Sequence, residues 1–318
     1  MGPEHACAQL LEDAGAAAEG EDFFRGRHFF DAENVSHTLV IESSGDRVEM
    51  PLLVRATPNG AHLDAISPYG YPGAALATAS ESPRIDPAKV DWSATGLVSA
   101  FIRDRLGHSP CLVGATQRSV VQVSDPELPR KSRMSDRQQM RRNEAAGYEI
   151  DFRPGPEATD GELSALAHVY RQTMERAGAS ERYMYGQEWF AAVLGSPRSW
   201  LFLVRSADGE VAAAALAVES DGIVHYYLSG TAEVAHRDSP SKNLIVAVTE
   251  FAEERGALMN LGGGMVPGDS LEEFKKGFAN RELPFHTHEL VCDPGVYSEL
   301  TVEHSKGDFF PLYRAPAG

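Results

Sequence analysis

A lysine just beyond a glycine turn can face a developing negative charge, and the last third of this 318-residue chain holds that arrangement. A strand-like run ending at Leu261 meets Gly262, Gly263 and Gly264, and a helix follows that carries Phe274, Lys275 and Lys276. Ser270 and Glu273 have the spacing of a capping box, which predicts a helix start there with the lysines on its first turns. Lys275 is then a candidate electrophilic catalyst on a rigid element. Lys276 points about 100° away around the helix and is the second choice. The same spacing also suits two solvated lysines on a surface helix. The glycines and Gly268 superficially resemble a phosphate loop, but no Gly-Lys-Ser/Thr follows, so a P-loop is rejected.

Other candidates are scattered. Arg130, Lys131, Arg133, Arg137, Arg141 and Arg142 stand against one acid, Asp136, in a chain whose formal net charge is −17. That segment is read either as a phosphate-binding helix or as a solvated face. Lys242 and Arg237 flank a predicted helix start, where a phosphate or plain solvent would suit them. Tyr69 and Tyr71, in a Pro/Gly loop, offer hydroxyls and flat faces to an acceptor or serve as packing anchors. Tyr226 and Tyr227 alternate across one strand, so one faces a site and the other the core. His286 and His288 share a strand face without a ligand set in sequence, and no metal site is expected. Cys7, Cys111 and Cys292 form no C-x-x-C pair, which argues against structural zinc and a disulfide framework.

The hydrophobic content of 42% and charged content of 24% are those of a globular protein. No apolar run approaches the ~20 residues of a membrane span, and Met1 to Glu21 lacks the layout of a signal peptide. A cytoplasmic location and no DNA partner are expected. The first half is read as an opening helical stretch, a hairpin at Ser44 to Asp46, a strand at His62 to Ile66, a loop from Thr78 to Ser93, a helix from Leu97 to Leu106, and a strand near Ser119. A basic helix from about Ser135 to Ala146 ends at Gly147 and serves as the hinge. The second half reads as two helices, a three-stranded meander turning at Asp208-Gly209 and Asp221-Gly222, a helix from Asp238, a strand, the glycine turn, the lysine helix and a last strand at Phe285 to Cys292. The predicted class is α+β, with mixed, mainly antiparallel sheets flanked by helices, in two tandem domains at 1–145 and 146–297.

Four segments occur in order: Ser67-Pro-Tyr-Gly-Tyr-Pro-Gly73, Arg141-Arg-Asn-Glu-Ala-Ala-Gly147, His225-Tyr-Tyr-Leu-Ser-Gly-Thr231, and Leu261 to Gly264 with Phe274-Lys275. Together they resemble the Fem-type peptidyltransferases of the GNAT superfamily, from roughly Thr38 to Tyr297. The resemblance implies two GNAT-like domains, with residues 298–318 packing back on the first, and no metal or bound cofactor. It implies transfer of an amino acid from aminoacyl-tRNA, the co-substrate, to an amine of a peptide acceptor. It makes Lys275 and Phe274 the catalytic pair. Tyr69, Tyr71, Tyr227 and Ser229 would contact the acceptor, with the first two placing it between the domains; Arg133, Arg137, Arg141, Arg142, Lys242 and Lys276 would contact the tRNA. The chain lacks a coiled-coil arm, and its tyrosine loop differs from the Arg-Gly-Pro form of peptidoglycan enzymes, which favours a smaller peptide or amino-acid-like acceptor. An acyl-CoA-dependent N-acyltransferase is the alternative. A CoA enzyme needs a glycine-rich turn before a helix to take the pyrophosphate, and the corresponding Ala235 to Lys242 has no glycine.

Overall fold

A computed structural model describes residues 6–14, 22–43, 45–77, 85–264, 266, 268–302, 304, 307 and 309–315. In chain order its elements are β1 (Ala6–Leu11), α1 (Arg27–Glu33), β2 (His37–Ser43), β3 (Asp46–Ala56), β4 (Leu63–Ile66), β5 (Ala75–Ala77), β6 (Val90–Asp91) and β7 (Leu97–Arg103). Then come β8 (Thr116–Ser124), α2 (Met134–Ala145), β9 (Glu149–Pro154), α3 (Asp160–Arg176), α4 (Gln187–Leu194), β10 (Ser199–Arg205), β11 (Val211–Ser220) and β12 (Ile223–Thr231). The last are α5 (Ser241–Glu253), β13 (Leu258–Gly262), α6 (Ser270–Lys276), β14 (Arg281–Val291) and α7 (Pro294–Thr301). The class is α+β, with mixed and mainly antiparallel strands flanked by helices. Two compact units arise. One comprises Met1–Gly20, Phe24–Arg118 and Pro284–Gly318, and the other Glu21–Phe23 and Ser119–Leu283. The chain therefore passes between units on either side of Glu21–Phe23, inside β8 and again inside β14.

In the first unit the strand order is β6-β1-β2-β3-β4-β7-β14, with β5 on β3. Two pairs, β1/β6 and β4/β7, are parallel and the others antiparallel. Gly45, at φ +91°, takes the left-handed conformation that the hairpin between β2 and β3 requires. Ser44, the first residue assigned to that turn, lies outside the described residues, as do Thr78 to Arg84 of the expected loop. The rest of that loop holds a 3₁₀ turn and β6. Leu39, Ile41, Val48, Met50, Ala100 and Ile102 interdigitate in the core. Tyr313 closes it from the far end of the chain. Its hydroxyl lies 2.7 Å from Ser99 Oγ and donates to Asp64 Oδ2 at 3.1 Å, and Arg55 and Arg314 also pair with that buried carboxylate.

Two elements differ from the sequence reading. Leu97 to Arg103 is a strand, not a helix. Leu97 through Ile102 are all buried between β4 and β14, so no period-2 alternation shows and the Leu97–Phe101 spacing mimics a helix face. The opening segment is also a strand over Ala6–Leu11. Its pairing with β2 outweighs the local helical preference of Ala, Gln and Leu.

The second unit orders its strands β8-β13-β12-β11-β10-β9, with β12/β13 as the parallel pair. Both meander turns form where predicted; Asp221 (φ +56°) and Gly222 (φ +70°) sit in the left-handed region. The helix α3 is started by a true capping box, Thr159 with Glu162. Its side chains Leu166 and Tyr170 are buried, and it packs with α4 on one face of the sheet. On the other face α5 lays Leu244, Val248 and Phe251 over Phe202, Ala215 and Val224.

Candidate active site

The site grows from the place where β12 and β13 part. They pair only over Ile223–His225 and Leu258–Asn260. Beyond that point β12 continues to Thr231, while β13 pairs on its other edge with β8 through Gly262. The parting point is held by side chains: Asn260 Nδ2 donates to His225 Nδ1 at 3.0 Å, and both residues are buried. Burial pushes the imidazole down to about 4, so it is neutral; the Ser220 backbone and the Asp221 carboxylate pull weakly the other way. Asn260 Oδ1 accepts the Gly262 N–H at 2.8 Å.

A register shift between Leu216 and Ala217 of β11 leaves Tyr227 as an extra residue in β12. Tyr226, two residues beyond Val224, packs on the α5-side core, as Phe274 does. Its hydroxyl neighbours Ser229 and is pushed up to about 12 by burial. Tyr227 goes to the opposite face, with its ring 6.0 Å from Phe23 and 6.3 Å from Trp189.

After β13 the glycine turn meets α6. Gly262 has φ +77°, and a Cβ there would stand 3.2 Å from Lys275 Nζ. A Cβ on Gly264 would sit 2.5 Å from the Asp269 carboxylate. Met265 and Pro267 lie outside the described residues. The cap of α6 is Asp269, one residue before the expected Ser270: its carboxylate accepts from Glu272 N at 2.7 Å and Val266 N at 3.1 Å. The helix has seven residues, which puts Lys275 in its last turn rather than its first. There the carbonyl end of the helix favours a cation. Lys275 Nζ donates to Gly263 O at 2.6 Å. Desolvation pushes the ammonium down to about 8, against the pull of the Asp269 charge. Phe274 places its ring 5.5 Å from Phe278. Lys276 turns away and pairs with Glu272 at 2.7 Å and Glu273 at 3.3 Å, which raise its affinity for the proton.

The basic helix α2 lies along α5. Lys242 pairs with Asp136 at 2.9 Å, and Asn143 donates to Asp238 O and to Asn243 Oδ1. Tyr148 donates to the Asp238 carboxylate at 2.8 Å. Arg133 donates to the Glu273 carbonyl at 2.8 Å, Arg137 to the Ser132 carbonyl and Arg142 to Gln139. Arg137 and Arg141, one turn apart and exposed, line a groove of about 280 Å³ with Met140, Ile150 and Val246. The structure thus leaves four of the six tRNA-assigned side chains, three on α2 and Arg133 at its cap, open to solvent; Lys242 and Lys276 are tied to carboxylates.

Tyr69 and Tyr71 belong to the first unit. Tyr69 is exposed, its amide bonded to Glu33, with the Arg103 guanidinium 5.9 Å from its ring centre. Tyr71 packs edge-on to Phe24 and Phe285. His288 does have a carboxylate neighbour, Asp104 at 3.0 Å, which the sequence did not reveal. Among the described residues no group of three His, Cys, Asp or Glu could hold a metal ion, and no helix is long and apolar enough to cross a membrane. The sequence reading missed Asn260, which bonds the glycine turn, and Asp269, which caps the lysine helix. A lone Asn within the apolar run Leu258 to Leu261 was the available signal.

Comparison with known proteins agrees with this layout. Residues 130–276 match the acetyltransferase (GNAT) domain family. No curated protein matches the sequence significantly. The fold is that of FemX: its crystal structure superposes with a TM-score of 0.60 at 11% identity, covering 92% of this chain and 99% of that one. A conserved protein of unknown function from Bacteroides thetaiotaomicron gives 0.52 at 11% identity, over 85% of this chain and 90% of that one. L-PGS from Bacillus licheniformis gives 0.51 at 13% identity, over 81% and 86%.

Proposed function

We propose that this chain is an acyltransferase that moves an amino acid from aminoacyl-tRNA to an amine of a peptide or amino-acid-like acceptor. The observation that carries the reading is Lys275: a desolvated ammonium, held by one carbonyl, on the helix that follows the divergent strands. An aminoacyl ester is already activated. The neutral acceptor amine attacks the ester carbonyl carbon, the carbon–nitrogen bond forms, and the carbon–oxygen bond to the ribose breaks. The amine's proton ends on the departing ribose oxygen. Lys275, as a cation, would stabilise the oxyanion and that oxygen, an effect of roughly 2–4 kcal/mol. Phe274 would exclude water beside it. Tyr226 and Ser229, on the α5 side, suit the acceptor better than Tyr227, which packs on Trp189.

The start of α5 bears on the donor. In a CoA enzyme the pyrophosphate would rest on amides before that helix. Here the amides of Ser239, Lys242, Asn243 and Leu244 bond to carbonyls of the turn itself, and the Asp238 carboxylate stands beside them under Tyr148. An acid in that position opposes an anion. The open arginines of α2 offer phosphate contacts elsewhere. The match to an acetyltransferase domain family favours acyl-CoA as the second reading. Incubation with radiolabelled aminoacyl-tRNA and candidate amine acceptors, beside labelled acetyl-CoA, separates the two. Label transferred from tRNA and lost in Lys275→Ala supports the proposal. Transfer from acetyl-CoA alone overturns it.

A further inference from the structure

We infer that Asn260, hydrogen-bonded to His225, is the positioning residue that aims Lys275 into the site. The inference rests on the role given to Lys275 above. Three hydrogen bonds, joined through the backbone of Gly262 and Gly263, link the strand to the ammonium. Asn260 Nδ2 gives a hydrogen bond to His225 Nδ1 at 3.0 Å, and Asn260 Oδ1 takes one from Gly262 N at 2.8 Å. The carbonyl of the following residue, Gly263, takes the Lys275 Nζ hydrogen bond at 2.6 Å. The two side chains sit on the last paired residues before β12 and β13 part, so the turn that grips Lys275 inherits the rigidity of the sheet.

The residue types follow from this geometry. Gly262 cannot anchor the turn with a side chain of its own, because a Cβ would crowd Lys275 Nζ. The hold must come from a residue carrying both a donor and an acceptor, and an amide provides them. Its donor needs a lone pair opposite, so His225 must keep Nδ1 unprotonated. The imidazole does so because it is buried; the Ser220 backbone and the Asp221 charge are the groups that act on it in the other direction. Leucine at 260 would fill the space but leave the Gly262 N–H and the His225 lone pair without that partner. Aspartate would still accept from Gly262, and would recruit a proton to His225 Nδ1 to replace the lost donor.

The first readout of the test needs no substrate. Lys275 is labelled with an amine-reactive reagent across pH, and the modified peptide is quantified by mass spectrometry in the parent, Asn260→Leu and Asn260→Asp. The parent midpoint is expected near 8. Asn260→Leu should move it up by a unit or more, as the released ammonium reaches water, and should lower kcat at least tenfold with the acceptor KM within twofold. Asn260→Asp should hold the midpoint within half a unit, with His225 showing an imidazolium signature in nitrogen-15 spectra at pH 6. Leu216→Ala, in the core of β11, controls for general loosening and should leave the midpoint in place. An unchanged midpoint in Asn260→Leu, or equal shifts in the Leu and Asp variants, overturns the inference. A shift without transfer from aminoacyl-tRNA supports the positioning and removes only the aminoacyl reading.

Discussion

Lys275 reaches back twelve residues to the Gly263 carbonyl, which lies 2.6 Å from its Nζ. The contact closes the glycine turn and the lysine helix into one ring of structure, so the catalytic candidate and the glycines that precede it are a single device. Its cation is partly stripped of water, which gives it both electrostatic reach and a low midpoint.

Lys275→Ala should reduce kcat by on the order of 10²–10³-fold, the range for removing one oxyanion partner. Lys275→Arg should restore little, because a planar fork cannot reproduce one short bond to one carbonyl. Steady-state kinetics with a labelled donor reads both. A loss confined to KM would assign Lys275 to binding instead.

The pH dependence of rate and of stability should run in opposite directions. If the ammonium is the working form, kcat falls as pH rises through about 8. The folded midpoint lies below the ordinary 10.5, so the unfolded chain holds this proton more tightly. Burying the charge therefore costs stability below about 8, and the cost is relieved as pH climbs from 8 to 10.5. Urea unfolding of the parent against Lys275→Met at pH 7 and pH 10 reads the difference, which should shrink with pH.

His225 gives the acid counterpart. Its folded midpoint, about 4, is below the ordinary 6.5, so the stability contributed by the neutral ring is lost as pH falls from 6.5 towards 4. His225→Gln should unfold at lower urea at neutral pH but lose less on acidification across that window. Parallel slopes for parent and variant would remove the assignment.

On α2, Arg137→Gln with Arg141→Gln should flatten the dependence of tRNA affinity on salt, by roughly 0.7–0.9 in log–log slope per lost phosphate contact. Lys242→Gln should change that slope less, because the lysine is committed to Asp136. Filter binding at several salt concentrations distinguishes them. Equal slopes in all three proteins would place the RNA elsewhere.

Gly264→Ala should damage the site without touching its chemistry. The added methyl meets the Asp269 carboxylate at 2.5 Å, so the α6 cap must shift. The expected cost is about 1–2 kcal/mol from the lost cap, with a rise in the Lys275 midpoint as the turn loosens.

Much of the second unit was legible because its cues are local. The meander from Trp200 to Leu228 is punctuated by Asp208-Gly209 and Asp221-Gly222, and α3 shows its apolar stripe at Leu163, Leu166 and Tyr170. Strand β7 was not legible, because burial on both sides erases alternation. Lys275 could be found from its neighbours in sequence, but not its place in the last turn, since Asp269 and Ser270 both make plausible caps. The pairing of Asn260 with His225 was beyond sequence reasoning for a different reason: a polar residue in an apolar run marks Asn260, but only the parallel pairing of β12 with β13 makes the two partners.

The discontinuous make-up of the first unit bears on the order of its birth. Asp64 finds Arg314 at a separation of 250 residues, and β14 and α7 of that unit follow every element of the other. At ~5–20 residues per second, a ribosome needs about 12 to 50 seconds to deliver the second partner after the first. The second unit can therefore finish while the first still waits with a buried-type carboxylate and an open sheet edge at β7. The part of the chain made first is the part completed last.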